Sequence, residues 1–125
     1  YTTLFRSERL EHVLDTHGKT MFRPRFASDI AEVGPAGCFD DDVNGICASR
    51  AVIANLMDED SGTMFEIGFA HSLGIPVYAY REGLRDGDSI NLMIAQSVRA
   101  VFSSSDDLAR YLETGEHKDA DYAQF

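Results

Sequence analysis

The feature that most constrains this chain is a strand-to-helix junction at its centre. Residues 51–56, Ala-Val-Ile-Ala-Asn-Leu, form a short apolar run that predicts a buried strand. An acidic loop, Asp58-Glu59-Asp60, comes next, and Ser61-Gly62-Thr63 reads as a helix start with Ser or Thr as its cap. The helix should run to about Leu73, because Gly74 is a C-terminal stop and Pro76 follows. This order places carboxylates at the carboxyl end of a strand, where open α/β sheets bind their ligands.

Glu66 stands out within that helix. Its sequence neighbours Met64, Phe65, Ile67 and Phe69 are apolar, so the helix is expected to be apolar nearly all round and buried. Its neighbours on the helix surface, Gly62, Thr63 and Ala70, are small. A carboxylate flanked by small residues on a buried helix fits the floor of a pocket, and near the first turn the helix dipole favours the anion. An ionised Glu in such a place is a nucleophile or an electrostatic stabiliser. The plainer reading is a surface Glu supporting the helix N-terminus. The apolar surroundings favour the functional one.

The rest of the chain alternates strands and helices. Tyr1–Phe5 reads as the end of a truncated strand. Ser7 can cap a helix with Leu10, Val13 and Leu14 on one face, ended by Gly18. Lys19–Arg23 predicts a short strand stopped by Pro24, and Phe26–Gly37 a loop with a turn at Gly34-Pro35-Ala36-Gly37. Phe39–Ser49 predicts a helix whose acidic start, Asp40-Asp41-Asp42, suits the dipole. Beyond the central unit, Ile75–Tyr80 is a strand, and Arg81–Ser89 is a polar loop where a lid would sit. Residues 90–95 begin a short helix, Val98–Phe102 is the last strand, and Ser104 or Ser105 caps a final helix stopped by Gly115. The tail from Glu116 is polar except for Tyr122 and Phe125. This alternation predicts an α/β fold: a five-stranded parallel sheet with helices on both faces, in the flavodoxin-like order 2-1-3-4-5, forming one domain over residues 1–125.

Composition narrows the function. The formal net charge is −10 over 125 residues, which argues against a nucleic-acid backbone or an anionic membrane as partner. No apolar run approaches a membrane span. Cys38 and Cys47 are too few for a disulfide scaffold and read as free, packing thiols of a cytoplasmic protein. The four histidines have no metal-ligand spacing, and no phosphate-cradling glycine motif is present. Neither a metal nor a cofactor is therefore expected.

Three segments together resemble the nucleoside 2-deoxyribosyltransferase family: Asp42-Val43-Asn44-Gly45-Ile46, then Asp60 to Ala70, then Ile90-Asn91-Leu92-Met93. Order and spacing agree over roughly residues 5–112. The resemblance implies that Glu66 is the nucleophile, that Asp60 helps hold the sugar and arrange the site, and that Asp42 contacts and protonates the base. It implies that Asn91 reaches from a neighbouring subunit to the 5′ end of the sugar, and that Phe5 stacks on the base. Phe5, Gly62, Asn91 and Met93 are the candidates for binding substrate. The implied assembly is a homo-oligomer built from dimers, possibly a hexamer, and the implied partners are a deoxynucleoside and a free nucleobase. The family's tyrosine that hydrogen-bonds the glutamate is assigned to no residue here. The segment between Arg25 and Gly37, which shapes the base pocket in the family, has no pattern that aligns.

The chemistry fits those roles. Cleaving a deoxyribosyl C–N bond builds positive charge on the sugar, as in glycoside hydrolysis. A carboxylate below C1′ stabilises that charge and can capture the carbon covalently. The leaving base needs a proton, so a second carboxyl must be protonated when it acts. The expected function is thus transfer of a 2-deoxyribosyl group between nucleobases by a retaining double displacement. The alternatives are an N-glycoside hydrolase of deoxynucleosides or their 5′-monophosphates, with Arg81 and Arg85 as phosphate anchors, and a non-catalytic nucleoside-binding module. The partners also have plainer readings. Asp40–Asp42 could be a solvated helix start, Asp58–Asp60 a loop cluster and Asn91 a helix cap, while Met64, Phe69 and Met93 read as core.

Overall fold

The computed structural model describes residues 2–3, 8–19, 21, 29–57 and 60–125. The strand expected over Lys19–Arg23 falls largely outside these residues, as does Phe5.

The elements run β1 (Thr2–Thr3), α1 (Glu8–Thr16), α2 (Ile30–Cys47), β2 (Val52–Asn55), α3 (Ser61–Ser72), β3 (Val77–Tyr80), β4 (Ser89–Ile90), α4 (Leu92–Ser97), β5 (Val101–Phe102), α5 (Ser105–Thr114) and β6 (Ala123–Gln124). Strands β1, β2, β3 and β5 form one parallel sheet in that order. Thr2 is paired with Val52, Val52 with Val77, and Ala79 with Val101. Among the described residues this is the flavodoxin-like order from its first strand onward; the second strand, expected at 19–23, lies largely outside them.

Alternation along the strands separates two cores. On one face, Ile53, Tyr78, Tyr80 and Phe102 pack under α1 and α5 with Leu10, Leu14 and Leu108. Tyr111 of α5 closes that face: its ring lies 5.4 Å from Phe102, and its hydroxyl is 3.0 Å from that of Tyr78. On the other face, Val52, Ala54 and Val77 meet Ile46 of α2 and Ile67 and Ala70 of α3. A third cluster joins Ala79 and Val101 to Leu84, Ile90 and Ala95. Burial of these side chains on both faces supplies the main stabilisation of a parallel sheet.

Several local expectations change. The helix expected from Phe39 begins earlier, because Asp29 caps Ile30 by accepting the Ala31 amide at 2.9 Å. Its axis breaks at Gly34, and Pro35 suits the start of the second segment because it needs no amide partner there. Helix α3 is capped by Asp60 rather than by Ser61 or Thr63. It is not buried all round: Phe65 is 53% exposed. Met93 is 68% exposed and so is not core, whereas Met64 and Phe69 are partly buried against it. Cys38 is half-buried and Cys47 exposed, so the latter does not pack. The polar tail, to which no element was assigned, forms β6, which pairs parallel with β4 in a small second sheet.

Gly34 carries φ 73° and ψ 173°, a combination open essentially to glycine. A Cβ there would meet nothing within 4 Å, so the constraint is backbone alone. Gly34→Ala should therefore cost about 1–3 kcal/mol of stability, read from the midpoint of urea unfolding. A wild-type midpoint would mean that the break in α2 is not held by this residue.

Candidate functional site

The candidate residues Asp60, Gly62 and Glu66 lie beyond the carboxyl end of β2, at the start of α3. Asp60 fixes that start. Its Oδ2 accepts the Thr63 amide and the Thr63 hydroxyl, each at 3.1 Å. Gly62 serves this cap directly: a Cβ at residue 62 would stand 3.2 Å from Asp60 Oδ2. The Asp60 carboxylate, a candidate for the sugar by resemblance to the family, is thus the one that caps the helix N-terminus.

From this start, Thr63, Ile67 and Ala70 point into the core. Glu66 falls on one flank of that buried stripe and is half-buried. Ser61 and Met64 fall on the other, since residues two apart on a helix point about 200° apart. Helix α2 packs beside α3 through Phe39, whose ring lies 5.9 Å from Phe65, and Phe65 is stacked 6.1 Å from Phe69. This aromatic ladder holds the helix bearing Asp42 against the helix bearing Glu66. Asp42 is half-buried, and burial, then the nearby charge of Asp41, raises its pKa. A carboxyl held towards its protonated form is suited to donate a proton.

A cavity of about 870 Å³ opens on the Ser61–Met64 flank, a volume in the range of ligand pockets. Leu56, Arg81, Ser89, Asn91 and Phe125 are among its walls. Asn91 caps α4, its Oδ1 accepting the Met93 amide at 2.9 Å, and is exposed. The structure therefore brings Asn91 to this cavity and not Glu66, Asp42 or Asp60, which are absent from its described walls. Phe5 lies outside the described residues. Arg81 does line the cavity, its Nη1 donating to the Ser89 carbonyl at 2.7 Å, whereas Arg85 does not.

Phe125 was missed as a wall residue. The sequence signal was slight: Tyr122 and Phe125 are the only large apolar residues in a polar tail. Among the described residues no group of His, Cys, Asp and Glu is arranged to hold a metal, and no helix is long and apolar enough to cross a membrane.

The sequence model of the family described as nucleoside 2-deoxyribosyltransferase matches residues 6–96, well over half of the chain. The chain belongs to this family. The fold is also that of a solved 2-deoxyribosyltransferase from Bacillus psychrosaccharolyticus, 28% identical over 88% of this chain and 90% of that one, with a TM-score of 0.66. A conserved protein from Enterococcus faecalis V583 is 19% identical over 92% of this chain and 97% of its own, with a TM-score of 0.74. The CMP N-glycosidase of Clostridium botulinum is 17% identical over 90% of this chain and 97% of its own, with a TM-score of 0.59. The last two likenesses are of fold alone. No curated protein matches the chain.

The raised pKa of Asp42 has a measurable consequence. Because the folded chain holds this proton more tightly than the unfolded chain, the associated stability is present at low pH and lost as pH rises through the folded pKa. Asp42→Asn should therefore raise the urea midpoint relative to wild type at neutral pH and lose that advantage near pH 3. Asp41→Asn should lower the Asp42 pKa seen by carboxyl NMR, but only in part, since burial is the larger cause. An unchanged Asp42 pKa in Asp41→Asn would remove the second cause.

Proposed function

We propose that the chain transfers a 2-deoxyribosyl group from one nucleobase to another by a retaining double displacement at Glu66. The observation that carries this reading is Glu66 itself, half-buried on the first turns of α3 between Gly62 and Ala70, in a chain of this family. In the first step the Glu66 carboxylate bonds to C1′ as the C–N bond breaks, and the base leaves with a proton supplied by Asp42. In the second step the incoming base attacks C1′, releases Glu66 and returns a proton to Asp42. Two displacements on opposite faces give net retention. Asp60, fixed by Thr63, holds the sugar and keeps a second negative charge beside the developing cation. The absence of a 2′-hydroxyl eases formation of that cation, which favours deoxynucleosides.

A second reading has one observation in its favour. Arg81 places a guanidinium in the wall of the cavity that holds Asn91, where a 5′-phosphate would find a cation. On this reading water replaces the second base, and the chain hydrolyses deoxynucleoside 5′-monophosphates; the Clostridium botulinum protein of the same fold is named a CMP N-glycosidase. Incubation with a deoxynucleoside and a second free base separates the two. Exchanged nucleoside supports the transferase. Free sugar alone, or turnover only of the 5′-monophosphate that falls in Arg81→Gln, supports the hydrolase. Under either reading Glu66→Ala should lower turnover by roughly 10³-fold or more, because the covalent route is gone. A protein that binds deoxynucleosides without turning them over would be a sensing module.

Assembly completes the proposal. Asn91 lies on the cavity flank of α3 and Glu66 on the other, so one chain does not offer both to a sugar from the same wall. Leu92 and Met93 beside Asn91 are 46% and 68% exposed, an apolar pair suited to a subunit contact. A two-fold dimer in which Asn91 serves the neighbour's Glu66 accounts for both facts. Mixing inactive Glu66→Ala with Asn91→Ala, which should keep only a measurable residue of activity, should raise activity above that of either variant alone under conditions where subunits exchange. No recovery despite proven exchange, or a fully active monomer, would leave Asn91 as a helix cap only.

A further inference from the structure

We infer that His117 and Asp119 are positioning residues: they fasten the segment 117–125 as a strap that sets where Asn91 stands. The inference deepens the proposed reading of Asn91 and rests on it for its kinetic arm only.

The latch closes an open edge of the sheet. Strand β5 is the last in the four-stranded order, and Val101 turns its backbone N–H and C=O away from β3. Unpaired groups at such an edge need partners. Two side chains supply them. Asp119 Oδ1 accepts the Val101 amide at 2.9 Å. His117 Nε2 lies 2.8 Å from the same Asp119 oxygen and 3.2 Å from the Val101 carbonyl, so one N–H is shared by two acceptors. The His117 side chain is 6% exposed and stands edge-on to Phe102 at 4.7 Å. Its Nδ1 is buried with no hydrogen-bond partner, so every hydrogen bond this ring makes is spent on the latch.

From the latch the strap follows the 81–91 loop. The Gly87 amide donates to the Asp121 carbonyl at 2.9 Å, the Asp121 amide to Asp86 Oδ1 at 2.8 Å, and the Ala123 amide to the Asp88 carbonyl at 2.7 Å. Ala120 and Tyr122 pack against the core cluster containing Leu84 and Ile90. Then β6 pairs with β4. At the far end the Phe125 amide donates to the Ile90 carbonyl at 3.2 Å, and the Leu92 amide donates to the Phe125 carbonyl at 2.8 Å. Both neighbours of Asn91 are therefore hydrogen-bonded to one strap residue. Asn91 sits at the N-terminus of α4, a helix of six residues that is too short to hold its own position. The strap holds it, and the latch holds the strap.

The test uses the intact protein. Asp119→Ala should speed hydrogen exchange of the Leu92 and Phe125 amides about 10-fold or more, while Ile53 and Tyr78 in the sheet keep wild-type protection. Asp119→Asn retains a carbonyl oxygen for Val101 and should restore most of that protection. His117→Phe, which keeps the ring on Phe102 and removes the hydrogen bonds, should act like Asp119→Ala and serves if that variant does not fold. In kinetics, Asp119→Ala should raise KM about 10-fold with a smaller change in kcat, and should add nothing in an Asn91→Ala background. Wild-type exchange at Leu92 and Phe125 in both latch variants would overturn the strap, whatever the enzyme's activity. Altered exchange together with kinetic losses that multiply with those of Asn91→Ala would overturn the route through Asn91.

Discussion

One capping interaction sets the phase of the central helix, and most of the site depends on that phase. Asp60 accepts both the amide and the hydroxyl of Thr63, which fixes the residue at which α3 begins. A helix that began one residue later would turn every side chain by about 100°. The stripe Thr63, Ile67 and Ala70 would then leave the core formed with Val52 and Val77. Core burial and the cap agree on a single start, and this agreement places Glu66 on one flank and Ser61 and Met64 on the other. Gly62 takes part because any side chain there would press on the capping carboxylate.

The architecture was legible wherever two signals coincided. Helix α5 had Ser104 before it, an apolar face with Leu108 and Gly115 after it, and it forms between those residues: Ser104 accepts the Asp107 amide, and Gly115 takes a left-handed φ of 72°. Strands β2 and β3 were bounded apolar runs and occupy the centre of the sheet, where burial on both faces demands such runs. Errors arose where a single signal was trusted. The apolar residues of α3 predict burial all round, yet Phe65 is exposed and meets Phe39 of α2, where aromatic contact and not full burial is its use. The start of α2 was hidden because Gly34 and Pro35 usually mark a turn. Here the turn lies inside a run of helix that Asp29 had already opened.

The candidate site was legible as a set of residue types and less so as a place. Glu66, Asp42, Asp60 and Asn91 were each singled out by their local chemistry or by resemblance to the family. What they share with one another depends on helix phase and on pairings distant in sequence, which no local pattern records. The strap is the clearest case. Residues 117–125 carry little periodicity and few apolar side chains, so they read as a tail. Most of their partners are backbone groups of the 86–92 loop and the open edge at Val101, and a backbone partner leaves no mark in a sequence.

The distribution of charge follows from the same geometry. Asp42, in a chain of net charge −10, has its pKa raised by burial first and by the neighbouring charge of Asp41 second. Asp60 is placed differently, its carboxylate accepting the two donors of Thr63 at the N-terminus of α3, where the helix dipole favours an anion. Two aspartates in one acidic chain thereby stand in different settings, one half-buried beside a like charge and the other capping a helix. On the proposed reading, a reaction that must both stabilise a cationic sugar and protonate a departing base draws on that division. The fold supplies it through local structure alone, before any substrate is bound.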